Sequence, residues 1–248
     1  YSSALFKSLD EPLAPAQRRK YLRLASQLDL QPGDRVLEIG CGWGGFAEIA
    51  AGEFGCNVVA LTLSREQAVY ARDRVEQAGL SDHIEVRLQD YRDVQGKFDK
   101  IVSIEMFEAV GERYWSVYLD TLRERLAPSG KAALQIITMD DAYFEDYRLN
   151  PEFIQRYIFP GGMLPGLSLF QQAAAAASLA ISDQFTFGQS YGETLRRWDM
   201  AFQNAWPTIK TLGFDDRFYR MWRFYLCYCE VGFDTGRINV AHFTLNHA

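Results

Sequence analysis

Histidine and cysteine are scarce, at three and four in a chain of 248 residues. Cys41, Cys56, Cys227 and Cys229 have no paired-cysteine metal spacing, and His83, His242 and His247 make no zinc set, so no metal site is expected. The same four thiols suit a reducing, cytoplasmic compartment rather than a disulfide framework. Apolar runs of about 18 residues or more are missing, as is a signal-peptide pattern, so nothing reads as a membrane span. Positive charge is in deficit. With 26 Lys and Arg against 32 Asp and Glu the net charge is −6, which argues against a nucleic-acid partner, whose footprint is a basic stripe. Local clusters remain at Arg18-Arg19-Lys20 and at Arg217, Arg220 and Arg223. Solvated helix faces are the simpler account of both, although a membrane-surface role would depend on such patches rather than on net charge. The chain opens on Tyr1 instead of Met, which reads as a trimmed chain with a segment absent upstream.

What is plentiful is apolar: 48% of residues are hydrophobic and 14% aromatic, enough for a core with aromatics to spare. The length suits one α/β domain over 1–248, with insertions at about 139–170 and 190–235, more readily than two domains. Its organising stretch is Val36-Leu-Glu-Ile-Gly-Cys-Gly-Trp-Gly-Gly45. Val36, Leu37 and Ile39 read as a buried strand, Gly40, Gly42 and Gly45 satisfy G-x-G-x-x-G, and Phe46 to Ala51 reads as the next helix. Strand, glycine turn and helix open a nucleotide-binding βαβ unit, whose glycines reach positive φ and let a ligand lie against bare backbone. A dinucleotide site expects Asp or Glu at the end of the second strand, about 20 residues on. Here that strand, Cys56 to Leu61, runs into Thr62-Leu63-Ser64. Glu38, two places before the glycines, is poorly placed for a pyrophosphate and suits a cationic cofactor without phosphates. S-adenosylmethionine, with its sulfonium and ammonium groups, fits that description better than a nicotinamide cofactor.

Pro15 to Leu28 carries a helical apolar stripe ahead of this unit, and Ser64 is placed to cap a helix running to about Ala78. Strands are expected at Ile84–Leu88, Phe98–Ile104 and Lys131–Ile137, with a helix from Tyr114 to Leu126 closed by Pro128-Ser-Gly130. This alternation means a parallel sheet with right-handed crossovers and a ligand beyond the carboxyl ends of the strands. From Asp140 to about Leu167 the pattern turns aromatic and aperiodic. Gln171 to Ala180 reads as an alanine-rich helix, Ile181–Phe187 and Ile238–Leu245 as a sixth and a seventh strand. Between those strands lie aromatic helices at Tyr191–Leu212 and Phe218–Val231.

Several stretches together resemble the cyclopropane-fatty-acyl-phospholipid synthase family of methyltransferases. They are Tyr-Ser-Ser at the start, the glycine turn, Thr62-Leu-Ser-x-x-Gln67, Met106-Phe-Glu-Ala-Val-Gly111 and Tyr157-Ile-Phe-Pro-Gly-Gly162. The likeness spans essentially the whole chain and matches the family's methyltransferase domain. It implies a Rossmann-like class I methyltransferase fold, a seven-stranded, mostly parallel sheet under an aromatic-rich helical cap. The implied activity is methyl transfer from S-adenosylmethionine to the cis double bond of an unsaturated phospholipid acyl chain, giving a cyclopropane or a methyl or methylene branch. Such an enzyme would work at the inner face of the membrane as a peripheral protein, and a homodimer is compatible with the resemblance. The cofactor contacts it implies are Glu38, Gly40, Cys41, Gly42, Thr62, Ser64, Gln67 and Ile104, with Gln89, Asp90 and Tyr91 flanking the adenine and Tyr1 and Ser2 closing over it. A bound bicarbonate would take the proton in a cradle of Glu108, Gln135, the Ile137 main chain, Tyr191 and Ser3. Gln135 and Ser3 stand where better-known bacterial members have His and Cys. Gln keeps an amide donor and acceptor but cannot titrate.

A set of aromatics exceeds what two helices need: Phe144, Tyr147, Phe153, Tyr157, Phe159, Phe170, Trp198, Phe202, Trp206, Tyr225 and Tyr228. As a set they are expected to form an acyl-chain tunnel. Two other readings stay open, a methyltransferase for a small soluble acceptor and a non-catalytic lipid-binding relative.

Overall fold

The computed structural model describes residues 2–248. Helix α1 (Leu13–Leu28) precedes strand β1 (Arg35–Ile39), and the glycine turn leads into α2 (Gly45–Phe54). The alternation continues through β2 (Asn57–Thr62), α3 (Arg65–Gln77), β3 (Ile84–Leu88), β4 (Phe98–Ile104), the one-turn α4 (Phe107–Val110), α5 (Trp115–Arg125) and β5 (Leu126–Met139). The second half comprises α6 (Asp141–Leu149), α7 (Phe153–Tyr157), α8 (Leu167–Ala176), β6 (Leu179–Thr186), α9 (Gly188–Thr211), α10 (Asp216–Asp234) and β7 (Ile238–His247). The sheet order is β3-β2-β1-β4-β5-β7-β6. β1 to β5 pair in parallel, and β7 runs antiparallel between β5 and β6. The order reverses between β1 and β4, so the crevice for a ligand opens at their carboxyl ends.

The two faces of the sheet carry separate cores. On one, Leu24 and Leu28 of α1, Phe46 of α2 and Ala71 of α3 cover Val36, Val58 and Val102. On the other, Tyr118 and Leu122 of α5 and Phe170 of α8 cover Leu37, Ile101 and Phe243. A third cluster seats α9 and α10 on the sheet, through Tyr191, Leu195, Leu226, Phe233 and Val240.

Most boundaries shift by up to three residues from the sequence reading, and three regions differ in kind or extent. β5 begins at Leu126, and Pro128-Ser-Gly130 lies inside it rather than closing a helix. Phe98 pairs with Leu126 but Lys100 pairs with Lys131, so the intervening residues bulge. A Cβ at Gly130 would come within 2.8 Å of the Asp99 carbonyl, which explains the glycine. Residues read as aperiodic after Met139 form α6 and α7. Asp140 caps α6 through the Ala142 amide at 2.8 Å, and exposed Tyr143 beside buried Phe144 and Tyr147 blurs the stripe. The alanine-rich helix starts earlier, at Leu167, and stops at Ala176, because Ser178 takes a left-handed conformation (φ 57°) that turns the chain into β6.

Phe144 and Phe170, expected in a tunnel, are both buried in the core on the α5 side of the sheet. Phe170 packs on Phe107 and Phe243 at centroid distances of 5.3 and 4.6 Å. Phe170→Ala should therefore lower the unfolding free energy by about 3–5 kcal/mol, read by urea denaturation.

Candidate active site at the switch point

At the end of β1 the Glu38 side chain is buried, and one carboxylate oxygen has no hydrogen-bond partner. Burial pushes its carboxyl up to about 8, against the lowering effects of the Ala47 amide and Lys20. Gly40 and Gly42 have φ of 82° and 52°. A Cβ added at Gly42 would meet no protein atom, so the bare turn faces open space. That space is a cavity of about 980 Å³. It is lined at this end by Ser2, Glu38, Gly40, Cys41, Gly42, Gln67 and Ile104. Cys41 is no nucleophile, because burial and the neighbouring Glu38 push its thiol up to about 12.

Other expected cofactor residues lie outside the lining of this cavity. Thr62 and Ser64 do not line the cavity but hold Gln67, which does. The Thr62 hydroxyl donates to Gln67 Oε1 at 2.8 Å, and Ser64 Oγ accepts from the Gln67 amide at 3.2 Å. Gln89, Asp90 and Tyr91 are also outside the lining. Asp90 caps the turn at Tyr91–Asp93 and pairs with Arg92 at 2.7 Å, while Tyr91 packs on Tyr118 in the core. Tyr1 lies outside the described residues. Ser2 is anchored by Lys20 Nζ at 2.6 Å and by Gln17, which donates to its carbonyl at 2.8 Å.

Lys20 was not singled out from the sequence as a site residue, and it lies wholly buried between the site's carboxylates. Desolvation pulls its ammonium down to about 7, opposed by Glu105 and Glu38. Arg18 and Arg19 pair with Glu53 and Glu11. The run Arg18-Arg19-Lys20 is thus not a basic patch.

The second missed residue is Glu105, directly after β4. Its φ of 53° places a non-glycine side chain in the left-handed region, a strain of about 1–3 kcal/mol that active sites tend to carry. Glu105 Oε1 accepts from the Ser3 amide at 3.0 Å and from Gln135 Nε2 at 2.7 Å, and Oε2 accepts from the Tyr191 hydroxyl at 2.7 Å. Burial and then the Glu105 charge raise the Tyr191 phenol well above its usual range, so it stays a donor. Behind Gln135, on β7, stands His242, with Nε2 2.9 Å from Gln135 Oε1. Burial drives the imidazole well below its ordinary range, so it is neutral. With Nε2 protonated it donates to the Gln135 oxygen and turns the amide NH2 toward Glu105. His242 had been read only as a candidate metal ligand to discard; the cross-strand pairing that gives it this place is invisible in linear order.

Glu108, on α4, accepts from the Ile137 main-chain amide through Oε1, while Oε2 is buried and unpartnered. Desolvation, then repulsion by Glu105, pushes its carboxyl up to about 8, so it is mostly protonated at neutral pH. Two distant motifs meet to hold it. The Met163 amide donates to the Glu108 carbonyl at 2.9 Å. A Cβ on Gly111 would lie 2.7 Å from the Gly161 carbonyl. Only glycine lets the two loops touch.

Beyond this acidic cluster the cavity continues between α7 and α10, past Tyr147, Phe159, Tyr225 and Tyr228 of the expected aromatics, and past Phe224 and Phe233, which had not been chosen. Trp198, Phe202 and Trp206 instead pack within the cap, against Tyr191 and Tyr219. Phe153 and Tyr157 pack beside the channel, Phe153 against Phe224 at 4.7 Å.

The doubly wound sheet and a glycine turn beside an unpartnered buried carboxylate define the class I S-adenosylmethionine-dependent methyltransferase architecture. Glu38 fits a cofactor with cationic groups and would repel a pyrophosphate. Residues 1–243 match the model of the mycolic acid cyclopropane synthetase family, and the chain belongs to that family. It is 42% identical to the tuberculostearic acid methyltransferase UfaA1 of Mycobacterium tuberculosis, over 99% of this chain and 59% of that protein. It is 38% identical to the cyclopropane-fatty-acyl-phospholipid synthase of Escherichia coli K12, over 94% of this chain and 58% of that protein. The chain thus spans somewhat under two thirds of these relatives' lengths. Among solved structures, mycolic acid cyclopropane synthase CmaA1 complexed with SAH and CTAB superposes with a TM-score of 0.92 at 29% identity. That match covers 99% of this chain and 89% of the other.

A cation beside Glu38 favours its ionised form. Burial pushes the free protein's carboxyl up to about 8, so a cationic cofactor seated beside it would release that proton. Affinity for S-adenosylmethionine should rise with pH, approaching roughly tenfold per unit below 8, and flatten above it. Calorimetric titrations at pH 6, 7 and 8 check this, with Glu38→Gln expected to remove the dependence.

Proposed function

We propose that this chain methylates the cis double bond of unsaturated phospholipid acyl chains, using S-adenosylmethionine as the donor. The observation that carries the reading is one continuous cavity that joins the Glu38 glycine turn, the acidic cluster at Glu105 and Glu108, and an aromatic channel. Its volume of about 980 Å³ is at the upper end for small-molecule pockets, which run to about 1,000 Å³. That leaves room for a cofactor and a length of hydrocarbon.

Glu38, Ser2, Gln67 and the turn Gly40-Cys41-Gly42 would hold the cofactor, which supplies an electrophilic methyl group when bound. Methylating an unactivated alkene leaves positive charge on the neighbouring carbon of the acyl chain. The chain's own groups answer that charge, with the rings of Phe159, Tyr147 and Tyr225 along the channel and the carboxylate of Glu105 at its inner end. Loss of a proton from the new methyl closes a cyclopropane, and loss from the carbon that bears it leaves a methyl-branched alkene; a 1,2-hydride shift before loss from the methyl gives a methylene branch. The relatives' names, a cyclopropane synthase and a fatty acid methyltransferase, support a lipid acceptor.

Approach to a membrane surface fits the mouth of the channel. Phe159, Phe224 and Val231 line the cavity yet are 44%, 53% and 54% exposed. On α10, exposed Arg217, Arg220, Phe224, Cys227 and Val231 follow helical spacing along one face. Its basic end suits anionic headgroups and its apolar end suits acyl chains. Arg223, the third member of that basic cluster, is held by Asp199 at 2.9 Å instead. No helix among the described residues is long and apolar enough to cross a membrane.

Methyl-labelled S-adenosylmethionine incubated with the protein and vesicles of unsaturated phospholipid should place label in the acyl chains. Label confined to a small soluble acceptor, or none, would refute the reading. Because burial and the neighbouring Glu105 push the Glu108 carboxyl up to about 8, toward its protonated form, the neutral amide of Glu108→Gln should keep activity to within about tenfold. Glu108→Ala should lose about 10²–10³-fold in kcat at unchanged cofactor affinity.

A further inference from the structure

The resemblance implies a bicarbonate as proton acceptor, and the residues assigned to it do not fit one here. Ser3 N, Gln135 Nε2 and Tyr191 Oη all end on Glu105, and Ile137 N ends on Glu108. These account for the donors of the expected cradle. A bicarbonate placed among them would have to displace one carboxyl group and lie against both. Glu105 itself lines the cavity, at the point where the glycine-turn end meets the aromatic channel.

We propose that Glu105 is this protein's own proton acceptor, a carboxylate carried on the chain in the position where a bound oxyacid would otherwise sit. The assignment rests on the proposed acyl-chain methylation. Three donors and no acceptor around its two oxygens match the ionised group. Lys20 is buried within electrostatic reach of both Glu38 and Glu105. His242, held neutral, orients Gln135 toward Glu105, so the non-titrating Gln135 serves as a positioning residue while the proton goes to the carboxylate.

The step balances as follows. The alkene electron pair forms the bond to the methyl carbon as the sulfur–methyl bond breaks, its electrons remaining on sulfur as a thioether. The cationic acyl chain then loses one proton to Glu105. The C–H electron pair closes the ring or forms the new double bond, and Glu105 becomes a neutral carboxyl that returns its proton to solvent after product leaves. No oxidant, reductant or bound anion is required.

The left-handed backbone at Glu105 makes a decisive variant available. Glycine adopts φ near +53° without strain, so Glu105→Gly empties the carboxylate position while suiting the backbone. Activity is read as methyl label entering acyl chains in buffer purged of carbon dioxide, with and without millimolar bicarbonate. The wild-type protein should be indifferent to bicarbonate. Glu105→Gly should lose about 10²–10⁴-fold in purged buffer and recover a large part of it with bicarbonate. Glu105→Gln, which fills the space without a base, should be equally inactive and stay so. A second readout is direct binding of ¹³C-bicarbonate by NMR to protein loaded with S-adenosylhomocysteine, expected for Glu105→Gly and not for wild type.

Stimulation of the wild type by bicarbonate, a bound bicarbonate signal in the wild type, or full activity of either variant in purged buffer would overturn the assignment. If Glu105→Gly fails to fold, the wild-type binding experiment and Glu105→Gln decide it. If no label enters lipid under any condition, the substrate reading falls, and the wild-type binding experiment alone decides whether the cradle is closed to bicarbonate.

Discussion

Negative charge buried at the carboxyl ends of β1 and β4 is the constraint around which this protein is built. Glu38, Glu105 and Glu108 converge on one cavity, and the wholly buried amine of Lys20 lies within electrostatic reach of Glu38 and Glu105. Removing a carboxylate from water is costly unless it is paired, protonated or hydrogen-bonded. Each of the three meets that condition differently. Glu38 is left with an open oxygen and shifts toward its neutral form, ready for a cationic ligand. Glu108 is neutral beside a like charge. Glu105 collects three hydrogen-bond donors, from the amino-terminal segment, β5 and α9.

That collection of donors ties the fold to the site. The segment from Ser2 to Phe6 has no regular structure of its own, yet it is fastened at both ends. Lys20 and Gln17 hold Ser2, Glu105 holds the Ser3 amide, and Thr194 and Ser190 of α9 accept from Ala4 and Phe6 at 3.0 and 3.2 Å. The segment thus strings together the cofactor end, the acidic cluster and the cap. Tyr191, stacked on Phe233 at 4.4 Å, brings α10 into the same unit. Movement of the cap would therefore be felt at Glu105.

The two loops of Met106–Gly111 and Tyr157–Gly162 show the same economy at the other wall. Their glycines are separated by α5, β5, α6 and α7 in sequence, and they touch because Gly111 has no side chain to strike the Gly161 carbonyl. Their contact fixes Glu108 at the boundary between polar and aromatic halves of the cavity. A motif that reads as two unrelated strings is one structural element.

Much of the architecture follows from local pattern alone. Alternating apolar strands and capped helices determine a parallel sheet, and Gly40 and Gly42 after Glu38 determine a bare turn beside a buried carboxyl group, since neighbours in sequence suffice for a turn. What depends on contacts between remote residues was not legible there. Glu105 looked like one more acidic residue in Ile-Glu-Met-Phe-Glu, because its left-handed backbone and its three donors come from four separate parts of the chain. Lys20 looked like part of a basic run until α1 packed on the sheet. His242 acquires its place only through the antiparallel register of β5 and β7, and Phe144 and Phe170 became core rather than channel only when α6 and α8 packed into the same buried cluster. Short-range sterics and periodicity determined the frame. Which buried charges face one another, and which are left unpartnered, was decided by tertiary packing, because electrostatic and hydrogen-bond partners are chosen by distance in space and not by order along the chain.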